Sequence, residues 1–234
     1  MNQFINISLS YQNFERYIIR RSIQKAIDEN MNVLKGSFLD IGCGKMPYRD
    51  YIIENSQIAS YYGIDIEDAA DYKTKYRIDA QWDGIKMPME NNQFDCAIAT
   101  EVLEHCFEPQ LVLNEAIRVL KPGGVLLFTV PFLWNLHETP HDHYRYTPFS
   151  LNKHLENSGF EKISIKSTGG WHASLAQFLA LWVKRSPLRN SFRKPLYYLI
   201  KPLFNFLLKK ELKTITKFKD GQMITGLYGV AFKP

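Results

Sequence analysis

The chain alternates short apolar runs with amphipathic stretches. Between residues 10 and 34, Phe14, Tyr17, Ile18, Ile23, Ala26 and Ile27 recur at roughly helical spacing with charged residues between them, which predicts an N-terminal helix that Gly36 ends. Apolar runs of strand length follow at 37–41, 60–65, 94–99, 125–130 and 162–167, with a shorter one near 76–79. The spacing between them predicts helices over 45–56, 109–120 and 151–158, and Lys121-Pro122-Gly123-Gly124 marks the turn into 125–130. A glycine-interrupted apolar run at 223–232 predicts the last strand. Strands that alternate with helices predict an α/β fold, a parallel sheet joined by right-handed crossovers.

Residues 171–220 depart from this alternation. They hold apolar clusters at 175–183 and 196–208, bounded by Lys and Arg and interrupted by Pro187, Pro195 and Pro202. Neither cluster reaches the ~20 apolar residues needed to cross a bilayer. Two readings stay open: helices that pack on the domain as a lid, or an interfacial segment with aromatics and leucines among lipid headgroups and lysines on anionic lipid.

Charge sharpens the second reading. The net charge is only +5, but from 184 to 219 eleven Lys and Arg face the single acid Glu211, so the excess is local. It points to a phosphate-bearing or anionic partner for this segment, association with the inner face of a membrane being one alternative. Nucleic acid is disfavoured as partner, because the aromatics of this segment sit within leucine-rich clusters and no RNA-binding motif is evident.

With 234 residues, 45% of them hydrophobic, the chain suits one α/β domain with an elaboration. Cys43, Cys96 and Cys106 show neither Cys-x-x-Cys spacing nor the density of a disulfide scaffold, and the first 21 residues lack a continuous apolar segment. A reducing, cytoplasmic setting is the expectation.

The densest chemistry begins at Phe38-Leu39-Asp40-Ile41-Gly42-Cys43-Gly44, an apolar strand running into a glycine turn, followed by Tyr61-Tyr62-Gly63-Ile64-Asp65-Ile66. Glycines at 42 and 44 let a ligand approach the backbone, and Asp65 is placed to accept hydrogen bonds from a ribose diol. A dinucleotide turn needs a third glycine where this chain has Pro47. A nucleoside cofactor without phosphates needs no such approach, and S-adenosylmethionine is one.

Asp40-Ile41-Gly42-Cys43-Gly44, Gly63-Ile64-Asp65, Asp79-Ala80, the run from Phe94 through Thr100-Glu101-Val102-Leu103-Glu104-His105, and Leu120-Lys121-Pro122-Gly123-Gly124 together resemble a class I S-adenosylmethionine-dependent methyltransferase. The resemblance covers 36–168, with 223–232 similar to the final strand of such enzymes. It implies a doubly wound, Rossmann-like, mostly parallel seven-stranded sheet with an antiparallel last strand and a helical insertion before it. The expected layout is a single methyltransferase domain over 1–234, divided into an extension (1–35), a cofactor-binding core (36–168), the insertion (171–220) and the final strand (223–232). The resemblance places Asp40, Gly42 and Gly44 around the methionine part of the cofactor, Asp65 at the ribose, Asp79 and Ala80 at the adenine, and Thr100 and Glu101 beside the sulfonium, with Cys43 and Ile66 also counted among the cofactor-binding residues. Lys45-Met46-Pro47 departs from the small residues often found after the second glycine, so the helix entry is unusual.

The second constellation runs from Trp134 to Pro148 and contains His137, Glu138, His141, Asp142, His143, Tyr144, Arg145 and Tyr146. It follows the fifth strand at the edge where open parallel sheets bind ligands. Its His-x-x-Pro-x-Asp and Arg-Tyr-Thr-Pro elements are similar to a bacterial subset of these methyltransferases associated with cell-surface saccharide and glycolipid pathways. Methyl transfer to a hydroxyl is an in-line displacement that needs a proton acceptor, and an imidazole titrating near ~6.5 suits the task. His141 or His143, oriented by Asp142, is the first candidate base, with His137 behind. Arg145 and Tyr146 are candidate substrate contacts, Arg145 toward a phosphate or carboxylate or else toward Asp142. Thr147-Pro148 begins the next helix. Glu104-His105 reads as structural. The spacing of His137, His141 and His143 matches no recurring zinc pattern, so no metal is expected.

The expected function is methyl transfer to a hydroxyl of a saccharide or lipid-linked intermediate. Two alternatives stand beside it: transfer to another small metabolite, and a non-catalytic binding module that docks through its basic insertion. The fourth strand lacks the Asn/Asp-Pro-Pro-aromatic ending of many base amino-methyltransferases. The oligomeric state is not legible.

Overall fold

The computed structural model describes residues 4–66, 76–211 and 214–234; the first three residues of the expected extension and residues 212–213 of the insertion lie outside the described set. Helix α1 (Tyr17–Glu29) leads into β1 (Lys35–Ile41), α2 (Arg49–Asn55), β2 (Gln57–Ile66), β3 (Ala80–Trp82), β4 (Phe94–Thr100), α3 (Pro109–Val119), β5 (Leu120–Pro131), α4 (Pro148–Asn157), β6 (Glu161–Ser167), α5 (Trp171–Arg185), α6 (Asn190–Lys210) and β7 (Gly226–Phe232). The seven strands form one sheet in the order β3-β2-β1-β4-β5-β7-β6. β1 pairs parallel with β2 and β4, β2 with β3, and β4 with β5, whereas β7 runs antiparallel to both β5 and β6. This is the seven-stranded α/β architecture the sequence predicts.

The parallel strands read as apolar runs because both faces of the sheet are covered. On one face Leu39, Ile41, Ala97, Leu126 and Phe128 pack with Leu113 and Ala116 of α3 and Leu151 and Leu155 of α4. On the other, Phe38, Cys96, Ile98, Val125 and Leu127 pack with Ile23 and Ile27 of α1 and Ile52 of α2.

Several boundaries move. The N-terminal helix is shorter than 10–34, and Gly36 does not end it; Gly36 lies within β1 at φ +68, where a Cβ would stand 2.4 Å from Oδ2 of Asp95. That carboxylate accepts from the Ser37 amide at 2.8 Å and from Lys121 Nζ at 2.8 Å, so the glycine admits a cross-strand clasp. The strand expected near 76–79 begins only at Ala80, and α2 begins at Arg49, beyond Pro47. Helix α4 starts earlier than 151, at Pro148, because Thr147 caps it: its hydroxyl accepts from the Ser150 amide while the Ser150 hydroxyl accepts from the Thr147 amide.

The insertion is a pair of helices between β6 and β7. Pro195 and Pro202 fall inside α6 without ending it. A proline there removes a helical hydrogen bond, and tertiary packing offsets the loss: Tyr197, Phe204 and Leu207 bury against Phe14 and Ile18 of the N-terminal region and against Ala176 and Ala180 of α5. The Phe14 ring lies 4.9 Å from that of Tyr197 and 4.7 Å from that of Phe204.

Candidate functional site

β1 ends at Ile41, and the chain reverses through Gly42 at φ +64 and Gly44 at φ +46, conformations that glycine adopts without penalty. A Cβ at Gly42 would stand 2.6 Å from Cγ2 of Val102, so close packing by the segment after β4 also requires the missing side chain. The Cys43 amide donates to the Ile64 carbonyl at 3.0 Å, which fastens the turn to β2.

Parallel pairing of Asp40 with Gly63 and Ile41 with Ile64 brings the strand-end carboxylates to one edge. Asp40 is buried, and Oδ2 accepts a hydrogen bond from the Tyr61 hydroxyl on β2. Burial pushes its carboxyl up to about 7; the Tyr61 bond opposes this and the Asp65 charge adds to it. Asp65 accepts from the Gly44 amide at 2.7 Å through Oδ2 and from the Ile66 amide at 2.9 Å through Oδ1. Burial raises its pKa as well, the two amides oppose the rise, and Glu138 of the His-rich loop adds to it, so that loop faces the glycine turn. Asp79 is exposed; its Oδ2 accepts from the Gly63 amide at 2.7 Å and its own amide donates to the Gly63 carbonyl at 2.9 Å. Ala80 follows at the start of β3 and Ile66 stands exposed at the end of β2.

These acceptors fit a ligand with a cationic end and a diol. A cation beside Asp40 offsets the cost of ionising a buried carboxyl, and each oxygen of Asp65 keeps a lone pair beyond its amide bond. Tyr61, which serves Asp40, is absent from the sequence-derived set; its place just before Tyr62-Gly63-Ile64-Asp65 is the one signal available.

Thr100 closes β4, and Glu101 follows at φ +55, a left-handed conformation costing a non-glycine residue about 1–2 kcal/mol. Its amide donates to the Thr129 carbonyl at 3.0 Å, and the Thr129 hydroxyl donates to Oε1 of Glu101 at 2.7 Å, which holds the strained residue. Burial pushes the Glu101 carboxyl up to about 7. Glu101 lines a cavity with Ile18 and Ser22 of α1, Trp134, Thr168 and Gln177 of α5. The N-terminal helix and the insertion thus wall the cavity at the strand ends.

The His-rich loop corrects two expectations. Asp142 orients neither His141 nor His143: Arg145 grips it with two hydrogen bonds, 2.6 Å to Oδ1 and 2.8 Å to Oδ2, and Oδ2 also accepts from the His137 amide at 3.1 Å and lies 3.2 Å from Nδ1 of His137. The Arg145 clamp holds the Asp142 carboxyl below the usual carboxylate range, so Arg145 is engaged inside the loop. Tyr146 is buried and donates its hydroxyl to the Leu103 carbonyl at 2.9 Å, a structural commitment that removes it from the candidate substrate contacts. His141 and His143 are exposed.

Glu104 and His105, read from sequence as structural, stand in this cluster. Glu104 is fully buried, and neither carboxylate oxygen has a hydrogen-bond partner among the described residues. Burial, reinforced by the Glu101 charge, holds its carboxyl well above the usual range. Its backbone carbonyl accepts the amides of His143 at 2.9 Å and Tyr144 at 3.2 Å, tying the loop to the end of β4. Sequence reasoning missed it because the ordinary pattern of Leu103-Glu104-His105 carries no sign of complete burial.

Residues 39–128 match the protein family described as a methyltransferase domain. A curated relative, the ubiquinone biosynthesis O-methyltransferase of Pseudomonas fluorescens (strain SBW25), is 30% identical over 115 residues, covering 44% of this chain and 47% of that protein. The chain spans about half the length of the curated relatives it matches in this way. Among solved structures, the (4+2)-cyclase SpnF superposes with a TM-score of 0.58 at 21% identity, covering 94% of this chain and 81% of that one. Phosphoethanolamine N-methyltransferase 2 of Haemonchus contortus, in complex with S-adenosyl-L-methionine, superposes with a TM-score of 0.56 at 15% identity, covering 97% of this chain and 60% of that one. At these identities the structural likeness is one of fold. The strand order and the glycine turn with its carboxylates give the chain the Rossmann-like methyltransferase fold, and residues 39–128 are similar to a methyltransferase domain, with S-adenosylmethionine as the cofactor that the turn and its carboxylates fit.

Proposed function

We propose that the protein transfers a methyl group from S-adenosylmethionine to a hydroxyl of a lipid-linked or saccharide intermediate presented at an anionic membrane surface, and that residues 1–234 act as one methyltransferase domain. The observation that carries this reading is the outer face of the insertion. Trp171, Leu175, Phe178 and Trp182 form an exposed apolar stripe along α5, and Phe192, Leu199, Leu203 and Phe206 form a second along α6. Arg189, Lys194, Lys209 and Lys210 stand exposed on the same helix pair. Apolar side chains beside cations suit the headgroup region of an anionic bilayer. Among the described residues, no helix is long and apolar enough to cross one.

S-adenosylmethionine, when bound, supplies an electrophilic methyl on a sulfonium. Asp40 sits where its charge would meet the cationic end, Asp65 where it would take the ribose hydroxyls, and Asp79 with Ala80 where they would meet the adenine; Gly42, Cys43 and Gly44 shape the turn, and Thr100 and Glu101 would lie beside the sulfonium. With the donor held by these residues, an imidazole at the acceptor would take up the hydroxyl proton as the oxygen is methylated. His141 and His143, whose rings hydrogen-bond to no other described residue, are the assigned proton acceptors. The O-methyltransferase name of the curated relative supports oxygen as the acceptor atom.

A second reading, a cofactor fold without methyl transfer, draws on the likeness to SpnF, named as a cyclase. Incubation with methyl-labelled donor and separated lipid and aqueous fractions of producing cells tests the proposal. Label in a lipid-extractable or saccharide product, reduced by His141→Ala or His143→Ala, supports it. Label in other small metabolites overturns the acceptor class, and full activity in both variants overturns the base assignment.

A further inference from the structure

We propose that Glu104, His105 and His137 bind a divalent first-row transition-metal ion. One ligand atom from each of the three lies within 4.8 Å of the others. The imidazole rings stand 4.7 Å apart, centroid to centroid, at 70°, and Nε2 of His105 is 3.7 Å from Oε1 of Glu104. The donors come from two separate segments, the turn after β4 and the loop after β5, so no local spacing announces them. From sequence no metal is expected, a reading that weighed only His137, His141 and His143 with Asp142; the gathered set is a different one, and the proposal departs from that expectation.

The hydrogen bonds at Nδ1 leave Nε2 of each histidine available as a ligand. Nδ1 of His105 lies 2.8 Å from the His141 carbonyl, which can only accept, so Nδ1 carries the proton and the neutral ring offers its lone pair at Nε2. Nδ1 of His137 faces Oδ2 of Asp142 at 3.2 Å, and Asp142 is an ionised carboxylate clamped by Arg145. Nδ1 of His137 is therefore also the donor, and Nε2 is again free to ligate. An imidazole that donates one N–H to a carbonyl or carboxylate and turns its other nitrogen to an ion is the usual second layer of a metal site. Glu104 adds an independent observation: it is completely buried, and neither oxygen has a hydrogen bond among the described residues. A buried carboxylate without hydrogen bonds is costly, and a cation between it and the two imidazoles satisfies it.

Two nitrogens and a carboxylate suit zinc, cobalt, iron or manganese better than calcium or magnesium, which prefer oxygen-rich sets. Ligand atoms around a tetrahedral ion with bonds of about 2.0–2.1 Å stand roughly 3.4 Å apart, so side-chain adjustments of about 1 Å close the site. Glu138, exposed with Oε2 at 3.8 Å from Nε2 of His105, stands at the open side. Three protein ligands leave at least one position for an outside oxygen, and on the methyl-transfer reading that oxygen belongs to the acceptor. The binding site itself does not depend on that reading.

The test is titration of chelator-stripped full-length protein with cobalt(II) and with zinc(II). The expected result is one ion per chain, with the visible absorption of cobalt in a nitrogen and oxygen field. His105→Ala and His137→Ala should each weaken binding by more than about tenfold, whereas His172→Ala on α5 should leave it unchanged. Glu104→Gln should weaken it too, and if that buried variant fails to fold, the two histidine variants decide. Absence of binding, or equal binding by the His105→Ala/His137→Ala double variant with a native circular dichroism spectrum, overturns the proposal. Because the readout is ion binding, failure of methyl transfer would leave this result interpretable.

Discussion

The Tyr61 hydroxyl on β2 donates its hydrogen bond to Oδ2 of Asp40 on β1, one strand away and beside the glycine turn. The bond favours the carboxylate while burial disfavours it, and burial prevails: the pKa rises to about 7. Below about 7 Asp40 is mostly protonated and offers no full charge to a cationic ligand. Affinity for S-adenosylmethionine should therefore fall as pH drops from about 8 to about 6, one unit either side of the midpoint. Equilibrium dialysis across this range checks it. Tyr61→Phe should move the midpoint upward, and Asp40→Asn should abolish the dependence and weaken binding by about tenfold or more, roughly 1.4 kcal/mol.

Asp95 titrates in the opposite sense. The Lys121 ammonium and the Ser37 donors hold its carboxyl down at about 2 against partial desolvation. A carboxyl whose pKa is depressed on folding stabilises the fold above its unfolded value and loses that stabilisation as pH falls toward the folded one. The melting temperature should drop between about pH 4 and about pH 2 in the parent protein, and less steeply in Asp95→Asn. Partial exposure of both partners keeps the effect modest.

At Gly42, substitution by alanine would impose φ +64 on a side chain whose Cβ stands 2.6 Å from Val102. The expected loss is about 1–3 kcal/mol in chemical denaturation. Adding Val102→Ala should recover only the steric part, because the backbone strain persists.

Much of this molecule is legible in its sequence. The parallel strands announce themselves as apolar runs because both faces of the sheet are buried, and the glycine turn with Asp40 and Asp65 lies in one contiguous pattern. Helix α6 is less legible: its prolines signal interruption, and only the tertiary contacts of Tyr197 and Phe204 hold it continuous. The partners of Asp142 are hidden for a different reason. Loop spacing places it next to His141 and His143, but the folded loop turns it toward His137 and Arg145.

Arg145 and Asp142 supply a stability prediction from that loop. The Asp142 side chain is 2% exposed, so Arg145→Ala leaves a buried carboxylate without its main partner. The loss should be about 3 kcal/mol, toward the lower end for breaking a buried pair, because the His137 amide remains as a donor. Arg145→Lys should restore little, since an ammonium cannot reproduce two parallel N–H bonds. Urea denaturation measures both.

The exposed stripe of the insertion predicts separable effects on binding and stability. Phe178 and Leu199 are 60% and 75% exposed, so Phe178→Ser and Leu199→Ser should change folding stability by no more than about 0.5 kcal/mol. Both should reduce flotation with anionic vesicles at low salt. Parent protein that stays in the aqueous fraction would refute the membrane-surface reading.

The account rests most heavily on the donor site at Asp40, Gly42, Gly44 and Asp65, and calorimetric titration with S-adenosylmethionine addresses it directly. The prediction is saturable binding of one ligand per chain at neutral pH, weakened in Asp65→Ala. Absence of measurable heat and of competition at about 1 mM ligand, a concentration that would detect even a binding free energy near −4.1 kcal/mol, would contradict the account.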